Sequence, residues 1–206
     1  MAEAVTEKNT AVYEVGRIWA AIHFHTFMPV RFRNAERLNR EGPMILIANH
    51  QHALDPVVMA MAVKKQQVVF LGKKELGKKA WIRRLLTDLH CILVDRHNTD
   101  MEAMRACMKA VKMKKILIIF PEGTRKHEGQ MEQIESGTSL IALRSRAPLI
   151  PIYFDRPLRL FRLTTVTVGE EIPTADLIAR GINRETCEEL NERMRETYRK
   201  MIREAE

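Results

Sequence analysis

Two apolar patterns alternate along the 206-residue chain, short unbroken runs and longer stretches at helical spacing. The runs at Met44 to Ala48, Gln67 to Leu71, Cys91 to Val94, Ile116 to Phe120, Leu149 to Phe154 and Leu163 to Val168 predict strands. Helical spacing predicts a helix over 9–28, with apolar positions at Val12, Val15, Ile18, Trp19, Ile22 and Phe27. Further helices are predicted from Pro56 through Val63, around Lys78 to Leu89, and to about Met113 behind a Thr99/Glu102 capping box. Two more are predicted, around Ile134 to Arg146 and from Asn183 onward. The last one carries Cys187, Leu190, Met194, Tyr198, Met201 and Ile202 on one side. Strands alternating with helices predict an α/β fold, a single mixed sheet flanked by helices. No repeat and no Gly/Ser-rich linker divides the chain, so we expect an N-terminal amphipathic helix over 1–30 and one domain over 31–206.

Composition narrows the class. At 46% hydrophobic and 29% charged residues, the chain is an ordinary globular sequence and not a disordered one. Cys91, Cys107 and Cys187 are odd in number and widely spaced. That argues against a disulfide framework and a structural zinc site, and they read as core residues suited to a reducing compartment. No charge-free stretch exceeds 13 residues, the length of Ile18 to Val30. A bilayer-crossing helix needs about 20 apolar residues, so none is expected. Glu3, Glu7 and Lys8 break the pattern of a signal peptide.

The formal charge of +8 is concentrated. Lys64, Lys65, Lys73, Lys74, Lys78, Lys79, Arg83 and Arg84 face only Glu75, a net +7 within residues 64–84. Residues 170–206 hold ten acids and seven bases, a net of −3. The basic window predicts an acidic partner. Only Phe70 and Trp81 interleave with it and no nucleic-acid-binding motif accompanies it, so an anionic membrane surface fits better than nucleic acid. The helix over 9–28 either packs on the core or lies at a membrane interface, and Trp19, Phe24, Phe27 and Met28 lead us to expect peripheral membrane contact.

Two strand ends carry the chemistry. In the first, a buried strand runs into Asn49-His50-Gln51-His52, with Asp55 at a predicted helix start. Active sites of open α/β sheets gather at the C-terminal ends of strands. A histidine there, oriented by a carboxylate, can deprotonate a hydroxyl; a histidine and an aspartate in a turn are also ordinary caps. His52 has the weaker claim because of its spacing to Asp55, and no third ligand at metal spacing accompanies His50 and Asp55. In the second, Phe120-Pro121-Glu122-Gly123-Thr124-Arg125 offers a sharp turn, backbone donors, a hydroxyl and a guanidinium. Such a set suits a phosphate monoester, unless it is simply a tight turn with a surface arginine.

Taken together, these segments resemble the 1-acylglycerol-3-phosphate acyltransferases among the glycerolipid acyltransferases. The motif of a histidine, four residues and an aspartate corresponds to His50 and Asp55, and the Phe-Pro-Glu-Gly-Thr-Arg block is present unchanged about 65 residues later. Lys73-Lys74-Glu75-Leu76 and Pro148-Leu149-Ile150-Pro151-Ile152 resemble two further family stretches, and the whole resemblance covers roughly 30–170. The second block departs from the pattern: its glycine and phenylalanine are lost in His90 to Asp95, while its arginine survives as Arg96. Where the family has Phe-Lys-x-Gly, the chain has Ile134-Glu135-Ser136-Gly137.

The resemblance implies a glycerolipid-acyltransferase-like fold and an O-acyltransferase of phospholipid synthesis, converting lysophosphatidic acid to phosphatidic acid. His50 and Asp55 would be catalytic. Arg96, Gly123, Thr124 and Arg125 would hold the acceptor's phosphate, and Glu122 would bind the glycerol or brace the turn. It implies no cofactor and no metal. The co-substrate would be a thioester of acyl carrier protein or coenzyme A, and the place of work cytoplasmic, peripheral on the inner membrane face. Glycerol 3-phosphate or another lysolipid is the alternative acceptor, and a non-catalytic basic binding module the alternative class.

Overall fold

The computed structural model describes residues 5–6, 8–63, 66–95, 101–125 and 131–205. Seven strands form one sheet: β1 (Val30–Arg33), β2 (Met44–Ala48), β3 (Val68–Lys73), β4 (Cys91–Val94), β5 (Ile116–Ile119), β6 (Leu149–Phe154) and β7 (Thr164–Val168). Their order is β1-β7-β6-β2-β5-β3-β4. Every neighbouring pair is parallel except β6 with β7, so the sheet is mixed. The three central strands β2, β5 and β6 are buried at every position, which explains their unbroken apolar runs. Pro151 of β6 packs on Gly169, one residue beyond β7: a β-carbon on Gly169 would lie 2.7 Å from the proline ring, and the Gly169 N–H donates to the Pro151 carbonyl at 2.8 Å.

Helices cover both faces. On one, α1 (Ala11–Thr26) and α2 (Asp55–Ala62) enclose a core with Ala20, Phe24, Val58, Met59, Leu46 and Phe154. On the other, α4 (Met101–Lys112), α5 (Ser136–Ser145), α6 (Ala175–Ala179) and α7 (Arg184–Ala205) pack on Ile45, Ile47, Leu117 and Tyr153. The remaining helix, α3 (Ala80–Asp88), has no buried residue; it follows the 3-10 turn Lys74–Gly77 and lies beside α1 and β4. The α4 residues in the core are Ala103, Cys107, Ala110 and Val111, small side chains that suit its close contact with α5.

Four elements escaped the sequence pattern, among them the 3-10 turn Lys74–Gly77. β1 alternates half-buried Val30 and Phe32 with exposed Arg31 and Arg33, an edge strand whose polar positions read as loop. The short α6 and the 3-10 turn Ala35–Leu38 offer too few residues for periodicity to register. Thr99 of the capping box lies outside the described residues.

In α1, Phe24, expected with Trp19, Phe27 and Met28 to contact a membrane, is buried instead. The positions that define the helix's apolar periodicity are exposed: Val15 at 65%, Ile18 at 64%, Trp19 at 59% and Ile22 at 61%. Its buried residues are Tyr13, Ala20 and Phe24, packed against α2 and its surroundings. Both sides of the helix are therefore apolar, and one is left uncovered by the described residues. No helix among the described residues is long and apolar enough to cross a membrane.

Candidate active site

Parallel pairing of β2 with β5 brings the two predicted strand ends together. Ile47 pairs with Ile119, and His50 and Glu122 each lie three residues beyond that pair. The β2 end turns at once into α2, whose first residue is the fully buried Asp55. One oxygen of Asp55, Oδ2, accepts three hydrogen bonds. They come from His50 Nδ1 at 3.0 Å, the Gln51 N–H at 2.8 Å and the His52 N–H at 2.7 Å. An ionised carboxylate only accepts, so the contact selects a proton on Nδ1 of His50, and in that neutral tautomer Nε2 is the acceptor. The predicted dyad is thus formed, at a side-chain exposure of 16% for His50. His52 contributes its backbone to the cap, while its ring Nδ1 accepts from the Leu54 N–H at 3.2 Å.

Glu122 joins the two strand ends. Its Oε2 accepts from the His50 N–H at 3.1 Å and its Oε1 from the Met131 N–H at 2.9 Å, with the side chain buried. The Phe120 ring lies against the His50 ring, tilted by 30° at 4.1 Å between centroids. Gly123 follows at φ +66°, the left-handed region that glycine enters without strain, and its N–H closes a turn onto the Phe120 carbonyl. Thr124 and Arg125 extend from that turn and are exposed. Arg96 lies outside the described residues.

Glu135 stands against this turn. A β-carbon on Gly123 would lie 2.9 Å from its Oε1, and its N–H donates to the Pro121 carbonyl at 2.8 Å. At the start of the second block, His90 adopts φ +61°, so this position demands a left-handed backbone. The buried imidazole is held there by the Gln67 amide at 2.8 Å and by the Tyr13 ring at 4.9 Å.

Two supports gave no sequence signal of their role, Asn49 showing only its place at a strand end and Tyr198 only its place in the apolar stripe of the last helix. Asn49 clamps β6, donating to the Phe154 carbonyl at 3.0 Å and accepting from the Phe154 N–H at 2.9 Å. The Tyr198 hydroxyl of α7 reaches the carbonyls of Ile47 at 2.7 Å and Ile152 at 3.1 Å, and burial pushes its pKa up. A cavity of about 880 Å³ opens from Phe120 and Gly123 between the sheet and α4, α5 and α7, with Leu71, Met104, Cys107 and Ile119 in its walls. Burial pushes the Cys91 thiol up to about 12, too high for a nucleophile. Among the described residues, no group of three or more His, Cys, Asp or Glu is placed to hold a metal ion.

A family model described as Acyltransferase matches residues 29–155, more than half of the chain. The chain belongs to this acyltransferase family. The match ends one residue beyond β6 and contains both strand ends. Curated relatives share the resemblance. A 1-acyl-sn-glycerol-3-phosphate acyltransferase of Bacillus subtilis is 28% identical over 180 residues, covering 84% of this chain and 89% of that protein. The human beta form is 28% identical over 179 residues, covering 80% of this chain and 64% of that one. The crystal structure of the 1-acyl-sn-glycerophosphate acyltransferase of Thermotoga maritima superposes with a TM-score of 0.67 at 20% identity, covering 94% of this chain and 78% of that one. The acyltransferase thus shares its fold with that structure, the mixed sheet flanked by helices that its apolar pattern predicts.

Proposed function

We propose that this acyltransferase moves a fatty acyl group from a thioester of acyl carrier protein or coenzyme A to the free hydroxyl of 1-acylglycerol 3-phosphate, making phosphatidic acid. The observation that carries the proposal is the 3.0 Å His50–Asp55 contact, tied through Glu122 to the Gly123 turn. Nε2 of His50 takes the proton of the acceptor hydroxyl. The oxygen attacks the thioester carbonyl carbon, the carbon–sulfur bond breaks, and the leaving thiolate takes the proton back from the imidazolium. No residue is acylated. Gly123, Thr124 and Arg125, with Arg96, hold the acceptor's phosphate through N–H, hydroxyl and guanidinium donors. Glu122, with both oxygens committed to backbone N–H groups, braces the turn and leaves the glycerol to other groups. The apolar cavity beside Phe120 accommodates an acyl chain.

The enzyme works on the inner membrane face, as a peripheral protein. The uncovered row of α1 supports this, as do the exposed Lys73, Lys74, Lys78, Lys79, Arg83 and Arg84 around α3. Each basic residue near an anionic surface contributes about 1 kcal/mol. Lys64 and Lys65 lie outside the described residues.

One observation favours a second acceptor on the same machinery. The Glu135 carboxylate beside Gly123 repels a dianionic monoester more than a phosphodiester, so another lysolipid is the runner-up. The deciding assay offers lysophosphatidic acid, glycerol 3-phosphate and lysophosphatidylcholine with both thioester donors. Lysophosphatidic acid should be used best, and Glu135→Lys should lower its KM further. His50→Ala should reduce turnover roughly 10²–10⁴-fold in a folded protein. Near-normal transfer by His50→Ala would overturn the mechanism, and a preference for lysophosphatidylcholine would overturn the acceptor.

A further inference from the structure

Between β6 and β7 the chain makes a tight turn whose composition is unusual. The Arg162 N–H donates to the Arg159 carbonyl at 3.3 Å, closing a four-residue turn with Leu160 and Phe161 at its centre. Phe161 has φ +55°. Turns that need a left-handed residue take glycine or asparagine there, because a β-carbon is strained in that region. Here the position holds a phenylalanine that is 75% exposed, next to Leu160 at 59% and close to Leu163 at 38%. Neither a relaxed backbone nor a covered side chain accounts for that residue at that place.

The turn is fixed to the end of α1. The Phe161 N–H donates to the Phe27 carbonyl at 2.7 Å, the Thr164 N–H to the Pro29 carbonyl at 3.0 Å, and the rings of Phe27 and Phe161 meet edge to face at 6.2 Å. The exposed row of α1 therefore continues through Phe27 onto the turn. Arg156, Arg159 and Arg162 surround the tip and are exposed, and the nearby Asp155 is engaged by Arg156 and by the Thr165 N–H. Apolar groups at a tip ringed by cations match the interface of an anionic bilayer, with rings below the headgroups and guanidinium groups among the phosphates.

We propose that the Leu160–Phe161 turn is a second membrane anchor. It inserts into the headgroup boundary of anionic lipid beside α1 and fixes the rotation of the enzyme on the surface. This rests on the membrane reading of α1 given above. Helix α1 alone would let the protein roll about the helix axis; an anchor off that axis stops the roll.

The test uses the full chain with vesicles of phosphatidylcholine, with and without phosphatidylglycerol. Phe161→Gly relieves the left-handed strain, so its unfolding midpoint should be unchanged or higher, yet its partition into phosphatidylglycerol vesicles should fall about tenfold. Replacing Arg159 and Arg162 with glutamine should weaken that partition severalfold and flatten its salt dependence, leaving binding to pure phosphatidylcholine unchanged. As a readout independent of stability, Phe161→Trp in a Trp19→Phe, Trp81→Phe background should be quenched by lipids brominated near the carbonyl end of the acyl chains. Unchanged partition of Phe161→Gly, or an unquenched indole at position 161 in vesicle-bound protein, would overturn the second anchor and leave α1 standing. Absence of any vesicle binding by the parent protein would overturn the membrane reading and this proposal together.

Discussion

Helices α1 and α7 lie on opposite faces of one sheet and are both amphipathic by sequence, yet they present opposite surfaces. Helix α7 buries Leu190, Met194, Tyr198 and Met201, and its outer face is a ladder of ion pairs: Arg184–Glu188, Arg193–Glu189, Arg195–Glu192 and Arg199–Glu192. Helix α1 buries three residues and turns Val15, Ile18, Trp19 and Ile22 outward. A stripe of large apolar side chains thus marks the core in one helix and the surface in the other. What separates them is whether the second side of the helix is satisfied by charge. Water is the solvent of α7's outer face; it is a poor solvent for α1's.

This contrast can be broken by substitution. The largest stability effect belongs to α7: Met194→Ala, at a fully buried site, should cost about 2–5 kcal/mol in urea unfolding. Ile18→Ala should change stability by no more than about 0.5 kcal/mol. If Ile18→Ala were as destabilising as Met194→Ala, α1's outer row would be core. Next, Ile18→Asp with Ile22→Asp should lower partition into anionic vesicles tenfold or more while the unfolding midpoint holds, as read by sedimentation. Intact binding would leave the basic window as the sole contact.

A smaller effect is expected at Tyr198→Phe, which removes the hydroxyl bridging the Ile47 and Ile152 carbonyls and should cost about 1 kcal/mol. The smallest concerns the ladder itself. Hydrogen bonds from Arg193 hold the Asp176 carboxyl down at about 2. A depressed carboxylate contributes stability above its unfolded pKa and loses it as pH falls toward the folded value. The midpoint difference between Arg193→Ala and the parent should therefore be small near neutrality and shrink further from pH 5 toward pH 3. A difference that grew with acid would contradict that sign.

How legible each region was follows from the same contrast. Unbroken apolar runs revealed β2, β5 and β6 because both of their faces are buried, and α7 because its stripe and its charges agree. Periodicity placed α1 but could not say which apolar side faces protein, since Ala20 and Phe24 look no more buried in sequence than Ile18 and Trp19. The His50–Asp55 pair was readable because both partners lie within one turn and one helix start. The hydrogen bonds of Glu122 were not, because they depend on the register of β2 with β5. Asn49 and Tyr198 act on carbonyls of distant strands, and no spacing along the chain announces that. β1 was hidden by its two arginines, the ordinary dress of an edge strand.

The hydrogen bonds that converge on the β2 end come from residues made at very different times. As the chain is synthesised, His50 and Asp55 emerge early, but the carboxylate that holds the His50 N–H comes from residue 122 and is itself held by the N–H of residue 131. The hydroxyl beneath the strand arrives only with residue 198. A nascent chain therefore carries His50 and Asp55 long before it carries the groups that hold their turn in place.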